Sequence, residues 1–405
     1  MYKIWSLVFV LITLGCAQDK RPPVPGVWRA VLEVQDEKEL PFIFEWNEDN
    51  SITIRNADER IRVSNINMKD DSITIEHPVF EGIFKGTYSS EKITGDFIKP
   101  SLDRVVPFVM TANDSARFLP PRLASSNANA DGEWEMVFSD HSDEDRYIAK
   151  GIFTQQPNQQ VTGTIRTTTG DYRYLEGVMD GSTLRLSTFD GAHAFLFEAE
   201  VKDSLMSGFF YSGNHWKEPF KGVFRPGYEL PDENSLTYLK EGYDRFDFSF
   251  PDIEGTMVSL SDERFKDKVV VVQIMGTWCP NCLEETKYYT QYLESNPSDE
   301  LEFVSLAFEY AKTREQAINR LERLKASVGV SYPLLLAQYG SSDKQEANEK
   351  LPMLNHVLSY PTTIFIDKKG EVRRIHTGFN GKATGEKYTQ FVEEFERFVA
   401  ELLAE

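Results

Sequence analysis

Cysteine is scarce in this chain of 405 residues, which has only Cys16, Cys279 and Cys282. Three cysteines exclude a scaffold held by several disulfides, and one Cys-x-x-Cys lacks the two further ligands of a tetrahedral zinc site. Basic residues are also few, with 44 Lys and Arg against 64 Asp and Glu and a formal net charge of −20. That balance offers no positive surface for a phosphate backbone. We therefore expect neither a metal nor a nucleic-acid partner.

Long apolar runs are absent beyond the first residues. Residues 1–15 contain one basic residue, Lys3, followed by a short apolar run, which is typical of a secretory signal peptide and too short to span a bilayer. The four residues ending at Cys16 resemble a bacterial lipobox, although Thr13 replaces the usual leucine. The resemblance implies a lipid on Cys16, a tether over residues 16–24 and a membrane-anchored lipoprotein facing the periplasm of the bacterial envelope. The alternative is an ordinary signal peptide followed by cysteine by chance.

The first half of the chain has the pattern of antiparallel β structure. From Pro25 to about Phe224, short alternating apolar runs are separated by Asp, Asn, Ser and Gly, without a sustained helical period. Four patterns occur twice in the same order: Gly26–Trp28 with Gly132–Trp134, Ser72–Ile75 with Ser182–Leu186, Ile93–Phe97 with Met206–Phe210, and Pro107–Phe108 with Pro219–Phe220. They predict two copies of one β unit, over residues 25–118 and 131–226. The pattern does not distinguish two barrels from one.

A different pattern follows a linker rich in turn formers, which we place at residues 227–243. Val269–Met275 is a near-continuous β-branched run, typical of a strand buried on both faces. It leads into Trp278-Cys279-Pro280-Asn281-Cys282 and then into apolar positions at helical spacing. The cysteines thus lie where strand becomes helix, and the unpaired N–H groups at a helix N-terminus stabilise a thiolate. We expect Cys279 to attack a substrate disulfide and Cys282 to resolve the mixed disulfide.

This motif resembles the active site of the thioredoxin superfamily. Ser359-Tyr360-Pro361-Thr362-Thr363 is similar to the cis-proline loop that faces the two cysteines in that fold. Within the superfamily the resemblance is to the TlpA/ResA-type exported proteins and covers roughly residues 244–405, where it predicts an α/β domain. It implies a thiol-disulfide oxidoreductase with no cofactor beyond a redox-active Cys279–Cys282 disulfide. It also implies protein disulfides as substrates and a membrane electron donor of the DsbD/CcdA type.

The same resemblance assigns further site residues. Pro361 belongs to the substrate loop, and Trp278, Tyr360 and Thr362 line the substrate contact. Glu285, three residues after Cys282, matches a glutamate that modulates the thiols and could accept their proton. Its alternative is an exposed charge on the first turns of a helix.

Two more positions stand out near the motif. Gln273 occupies the place where thioredoxins bury an aspartate, so that acid is absent here. Glu309, in a segment that also matches the family, is a weaker candidate for the site. The remaining periodicity predicts strands over 301–307, 332–336, 363–366 and 372–376, and helices over 314–327 and 386–403.

Two other functions stay open. A peroxidase of the peroxiredoxin type shares the fold, but its Pro-x-x-x-Thr-x-x-Cys pattern is missing because the proline is absent and Thr277 is one place too close to Cys279. A binding lipoprotein would use the β half to dock a partner or hold an apolar ligand. The direction of electron transfer is also open, since the family implies reduction while an exported compartment is oxidising.

Overall fold

The computed structural model describes residues 21–118 and 128–405. The signal peptide predicted over residues 1–15 and the lipidation predicted at Cys16 lie outside these residues, and both stay predictions. In the part of the chain that is described, no helix is long and apolar enough to cross a bilayer.

The first sheet contains nine antiparallel strands in the order β4-β3-β2-β1-β9-β8-β7-β6-β5. Buried and exposed residues alternate along β9 because successive side chains of a strand point to opposite faces, and one face here covers a core. The strands are β1 (Gly26–Glu33), β2 (Glu39–Trp46), β3 (Ile52–Asn56), β4 (Glu59–Val63), β5 (Asn65–Lys69), β6 (Ser72–Glu76), β7 (Ile83–Tyr88), β8 (Lys92–Lys99) and β9 (Arg104–Ala112).

The second sheet also contains nine strands, in the order β11-β10-β18-β17-β16-β15-β14-β12-β13. An additional antiparallel pairing of β11 with β12 closes this sheet into a barrel. The strands are β10 (Gly132–Phe138), β11 (Tyr147–Gln155), β12 (Gln160–Thr167), β13 (Gly170–Asp171), β14 (Leu175–Asp180), β15 (Thr183–Phe189), β16 (Ala194–Lys202), β17 (Leu205–Ser212) and β18 (Trp216–Phe224).

The two sheets form separate structures with a shared boundary. The order of the first sheet runs from β4 at one end to β5 at the other, without the closing pair of the second sheet. Its core is completed instead by side chains of the second sheet, Phe189, Ala194, Leu196 and Tyr211. The first sheet therefore packs against the outside of the barrel that the second sheet forms.

The C-terminal domain is built on a five-stranded mixed sheet in the order β23-β22-β21-β24-β25. Strands β21, β22 and β23 are parallel, and β24 and β25 pair antiparallel. A separate two-stranded sheet joins β19 to β20. The elements are β19 (Ser249–Pro251), β20 (Met257–Ser259), β21 (Val269–Met275), α1 (Pro280–Ser295), β22 (Leu301–Phe308), α2 (Arg314–Val328), β23 (Leu334–Gln338), α3 (Lys344–Lys350), β24 (Thr362–Ile366), β25 (Val372–Thr377) and α4 (Glu386–Ala404).

The predicted α/β order of this domain agrees with the structure, with small differences at the ends of elements. Strand β23 begins at Leu334 rather than at residue 332. The short elements β19, β20 and α3 were not predicted, because three to seven residues give too few periods to reveal a pattern.

Candidate active site

Cys279 lies at the N-terminal end of α1, directly after the buried strand β21. It is the N-cap residue, with an extended backbone, and its Sγ accepts a hydrogen bond of 3.2 Å from the backbone N–H of Cys282. Pro280 begins the helix, where its missing N–H costs no hydrogen bond. The Cys279 thiol also lies 3.3 Å from the carbonyl oxygen of Tyr360. The sulfur is thus held between a helix N-terminus and the loop that precedes β24.

The two cysteines differ in exposure. Both are free thiols, but Cys279 keeps 7% of its surface exposed while Cys282 has none. Burial raises the pKa of Cys282 well above its ordinary value, and the contact with Cys279 raises it further. Cys282 is therefore a thiol at neutral pH, and of the two cysteines only Cys279 keeps part of its surface exposed.

The loop before β24 contains the cis-proline that the family resemblance implies. The Tyr360–Pro361 peptide bond is cis. The ring of Tyr360 meets the ring of Trp278 edge to face, with 5.4 Å between centroids. The side chain of Thr362 is buried and donates to the carbonyl oxygen of Ser359 at 2.9 Å. Thr362 therefore shapes the loop from within, whereas Trp278 and Tyr360 lie at its face.

Glu285 is completely buried on the inner side of α1, so the alternative of an exposed surface charge is wrong. Its carboxylate accepts hydrogen bonds from Tyr289 at 3.0 Å and from Thr363 at 3.0 Å. Burial raises the pKa of Glu285 to about 7, although these hydrogen bonds act in the opposite direction. A carboxyl with this pKa can exchange a proton near neutral pH.

Gln273 connects Glu285 to the surrounding strands. Its Nε2 donates to Oε2 of Glu285 at 2.8 Å. Its Oε1 accepts from Thr286 at 3.1 Å and from Ser305 at 2.7 Å. The sequence shows that the usual buried aspartate is missing at this position, but only the structure shows that the amide there holds a buried acid from the neighbouring helix.

Glu309 is a second fully buried acid near the cysteines. It accepts hydrogen bonds from the backbone N–H of Thr277 at 2.7 Å and from the hydroxyl of Thr277 at 2.8 Å. Burial raises the pKa of Glu309 to about 7. Its partners belong to the turn between β21 and α1, so Glu309 supports the segment that carries Trp278 and Cys279.

The second sheet also reaches the active site, which sequence analysis did not foresee. The side-chain Nδ2 of Asn281, between the two cysteines, donates to the backbone oxygen of Asp171 at 3.0 Å. The two residues are 110 positions apart. No local pattern marks Asp171 as a neighbour of the thiols.

The chemistry available at this site is that of thiols and carboxyl groups. Within residues 21–118 and 128–405, no three His, Cys, Asp or Glu side chains are arranged to hold a metal ion. An accessible sulfur and a second sulfur on the next helical turn are the parts that disulfide exchange requires. A buried carboxyl with a raised pKa, Glu285, follows the second sulfur on the same helix.

Residues 242–375 match the AhpC/TSA family. The thioredoxin-like protein YneN of Bacillus subtilis is 29% identical over 140 residues, which are 35% of this chain and 73% of that protein. The thiol-disulfide oxidoreductase ResA of the same organism is 28% identical over 142 residues, 35% of this chain and 69% of that protein. A solved thiol-disulfide oxidoreductase from Bacteroides fragilis is 20% identical and covers 37% of this chain and 99% of its own. The TM-score between the two structures is 0.27.

Proposed function

We propose, for a chain whose C-terminal domain is a thioredoxin-like thiol-disulfide oxidoreductase of the TlpA/ResA kind, that catalysis proceeds by dithiol exchange through Cys279 and Cys282. The observation that carries the proposal is the contact between the Cys279 sulfur and the N–H of Cys282 at the start of α1. Helix N-termini favour the anionic form of a sulfur placed there.

The reaction has two exchange steps. The Cys279 thiolate attacks one sulfur of a protein disulfide, which forms a mixed disulfide and releases the other substrate sulfur as a thiolate. The Cys282 sulfur then attacks Cys279, which forms the Cys279–Cys282 disulfide and releases the second substrate thiol. Two electrons pass to the substrate, and a donor of the DsbD/CcdA type returns the enzyme to its dithiol form.

Glu285 is the proposed proton acceptor for the second step. Cys282 must lose its proton to attack, and burial opposes that loss. The pKa of Glu285, raised to about 7, allows its carboxylate to take a proton at neutral pH. The amide of Gln273 lies between them, 2.8 Å from the Glu285 carboxylate and 3.4 Å from the Cys282 carbonyl oxygen.

We infer further that the chain is exported and anchored by a lipid on Cys16, with residues 1–15 as the signal peptide and 16–24 as the tether. The sequence pattern supports this inference. In that setting the site would face the periplasm and would need a membrane donor for its electrons.

The two sheets are, in this proposal, copies of one unit over residues 25–118 and 131–226. In each, the first strand pairs with the second and with the last. In each, a fully buried tryptophan donates its Nε1 to the carbonyl oxygen four residues earlier at 2.9 Å, from Trp28 to Val24 and from Trp134 to Ala130. These shared features support duplication, and the missing closure of the first sheet is then a later divergence.

The peroxidase alternative has little support at Cys279. The nearby threonine, Thr277, donates its hydroxyl to Glu309. A resolving cysteine sits on the adjacent turn of the same helix, which suits exchange between two sulfurs.

Trapping of mixed disulfides tests the assignment of the two sulfurs. We expect the full chain carrying Cys16→Ser and Cys282→Ser to retain one glutathione on Cys279 after exposure to glutathione disulfide, detected by mass spectrometry and peptide mapping. The matched chain with Cys16→Ser and Cys279→Ser should acquire glutathione much more slowly, because the remaining Cys282 is buried. Equal trapping by the two variants would refute the assignment.

A further inference from the structure

A turn of the second sheet packs onto the face of the C-terminal domain that carries the thiols. This turn, residues 167–173 between β12 and β14, is called the capping turn below. The hydroxyl of Ser359, two residues before Pro361, donates to the backbone oxygen of Thr169 at 2.8 Å. Asn281 donates to the backbone oxygen of Asp171, as described above. The capping turn therefore touches both the cysteine motif and the cis-proline loop.

A third loop, after β25, completes the contact. Its Gly381 donates a backbone hydrogen bond of 2.6 Å to the carboxylate of Asp171. Gly378 has φ +80, and a Cβ there would lie 2.8 Å from the carbonyl carbon of Thr169. A Cβ on Gly170 would lie 2.4 Å from Nδ2 of Asn281. The two backbones meet with no room for a side chain between them.

Buried charges hold the capping turn in place. Arg173 forms ion pairs with Glu284 of α1 and, at 2.7 Å, with Glu59 of β4. The carboxylate of Asp171 accepts the backbone N–H of Arg173 at 2.7 Å. Asp171 and Arg173 are both buried. Since breaking buried ion pairs is costly, the turn is fixed over the site rather than loosely attached.

The position of the capping turn limits what can approach Cys279. An extended substrate segment would pair with the edge of the cis-proline loop, and the turn already occupies the Ser359 side of that loop. Cys279 itself keeps only 7% of its surface exposed. A folded protein surface would have to displace the turn to bring a disulfide to this sulfur, whereas a small molecule or an extended peptide could reach it past the turn.

We propose that the capping turn determines substrate specificity. It lets Cys279 react with disulfides in small molecules or unstructured peptides and excludes disulfides in compact folded proteins. The substrates share a disulfide that can reach Cys279 without bringing a folded surface to the site. This inference rests on the proposed function, because it concerns the substrates of the same thiol.

The inference is tested by comparing how fast the full chain carrying Cys16→Ser reduces small, unstructured and compact disulfide substrates. The rates of reduction are measured for glutathione disulfide, for an unstructured peptide with one disulfide and for insulin. Asp171→Ala removes the acceptor of the Gly381 N–H, and we expect it to raise the ratio of the insulin rate to the glutathione disulfide rate at least about fivefold. Asp143→Ala, on an exposed turn of the same sheet, should leave the ratio at the wild-type value. An unchanged ratio in Asp171→Ala overturns the proposal.

A second measurement covers the case in which Asp171→Ala does not fold. With Cys282→Ser, the capping turn stays intact, and we expect the chain to trap glutathione and the peptide at least roughly tenfold faster than insulin. Equal trapping of all three overturns the proposal. If the peptide is trapped as slowly as insulin while glutathione is trapped faster, the substrates are small-molecule disulfides. Failure of the proposed function is distinct, since the Cys279→Ser chain would then still reduce or trap every substrate.

Discussion

Gln273 donates a hydrogen bond of 2.8 Å to the carboxylate of Glu285, and both side chains are buried beside the helix that carries the two cysteines. A buried acid close to the thiols is therefore supplied by α1 rather than by the strand before it. Because the pKa of Glu285 is raised to about 7, we expect its protonation to affect both the stability of the fold and the exchange reaction.

Stability should depend on the ionisation of Glu285. The pKa of this carboxyl is about 7 in the folded chain against an ordinary value of 4.5, so the unfolded chain binds fewer protons between these values. The free energy of unfolding should therefore fall as pH rises from about 4.5 to 7, by up to roughly 3 kcal/mol for this group, and then level off. Glu285→Gln should remove this part of the slope, measured by urea unfolding of the reduced protein at pH 5 and pH 8.

Glu294→Gln is the matched control for that experiment, because Glu294 is exposed on the same helix. Glu309 has a similarly raised pKa, so some slope should remain in Glu285→Gln. A wild-type slope in Glu285→Gln would show that this carboxyl is not the group that titrates.

The second exchange step should depend on the same ionisation. If the Glu285 carboxylate accepts the proton of Cys282, the decay of the mixed disulfide on Cys279 should quicken as pH rises through about 7. Glu285→Gln should slow that decay roughly 10- to 100-fold and remove the inflection, since an amide cannot accept the proton. Rapid-quench measurement of the decay from pH 5.5 to 8.5 tests this, and an inflection that persists in the variant would assign the proton to another group.

Local features of the site could be predicted from the sequence, and distant ones could not. The junction of strand and helix at Cys279 follows from a β-branched run next to a helical period, and the loop at Pro361 follows from the family resemblance. The spacing of Glu285 from the buried Tyr289 and Tyr292, four and seven residues later, places it on the inner face of α1. The sequence alone nevertheless leaves its burial open, because a carboxyl on the buried face of a helix is unusual. The approach of Asp171 to Asn281 has no local signal at all, since it depends on how the second sheet packs against the C-terminal domain.

The β half shows the same division. The Gly-x-Trp pattern that occurs twice in the sequence places Trp28 and Trp134 at matching positions, and both make the same hydrogen bond in the two sheets. Whether each sheet closes depends on pairing between strands far apart in sequence, such as β11 with β12. Alternation along single strands carries no information about that closure.

Arg173, which attaches the second sheet to its neighbours, should contribute far more to the free energy of unfolding than an exposed arginine does. Replacement by alanine leaves the carboxylates of Glu59 and Glu284, each only 11% exposed, without their ion-pair partner, which should cost about 3 to 5 kcal/mol. Arg185→Ala is the matched control, because that arginine is 34% exposed and pairs at longer distances with Asp180 and Glu198. It should cost less than about 1 kcal/mol. Urea unfolding of both variants decides the point, and equal costs would show that the buried pairs do not hold the interface.

Phe189 should stabilise the first sheet although it belongs to the second. Its ring stacks on Phe42 of β2 with 4.4 Å between centroids and meets Phe97 of β8 edge to face at 5.3 Å. Phe189→Ala would leave a cavity among the aromatic rings in the core of the first sheet and should cost about 3 to 5 kcal/mol. Phe209→Ala, on β17 and 42% exposed, should change the free energy of unfolding by less than about 1 kcal/mol. Urea unfolding monitored by tryptophan fluorescence compares the two variants. Equal losses in the free energy of unfolding would mean that the first sheet completes its core without the second.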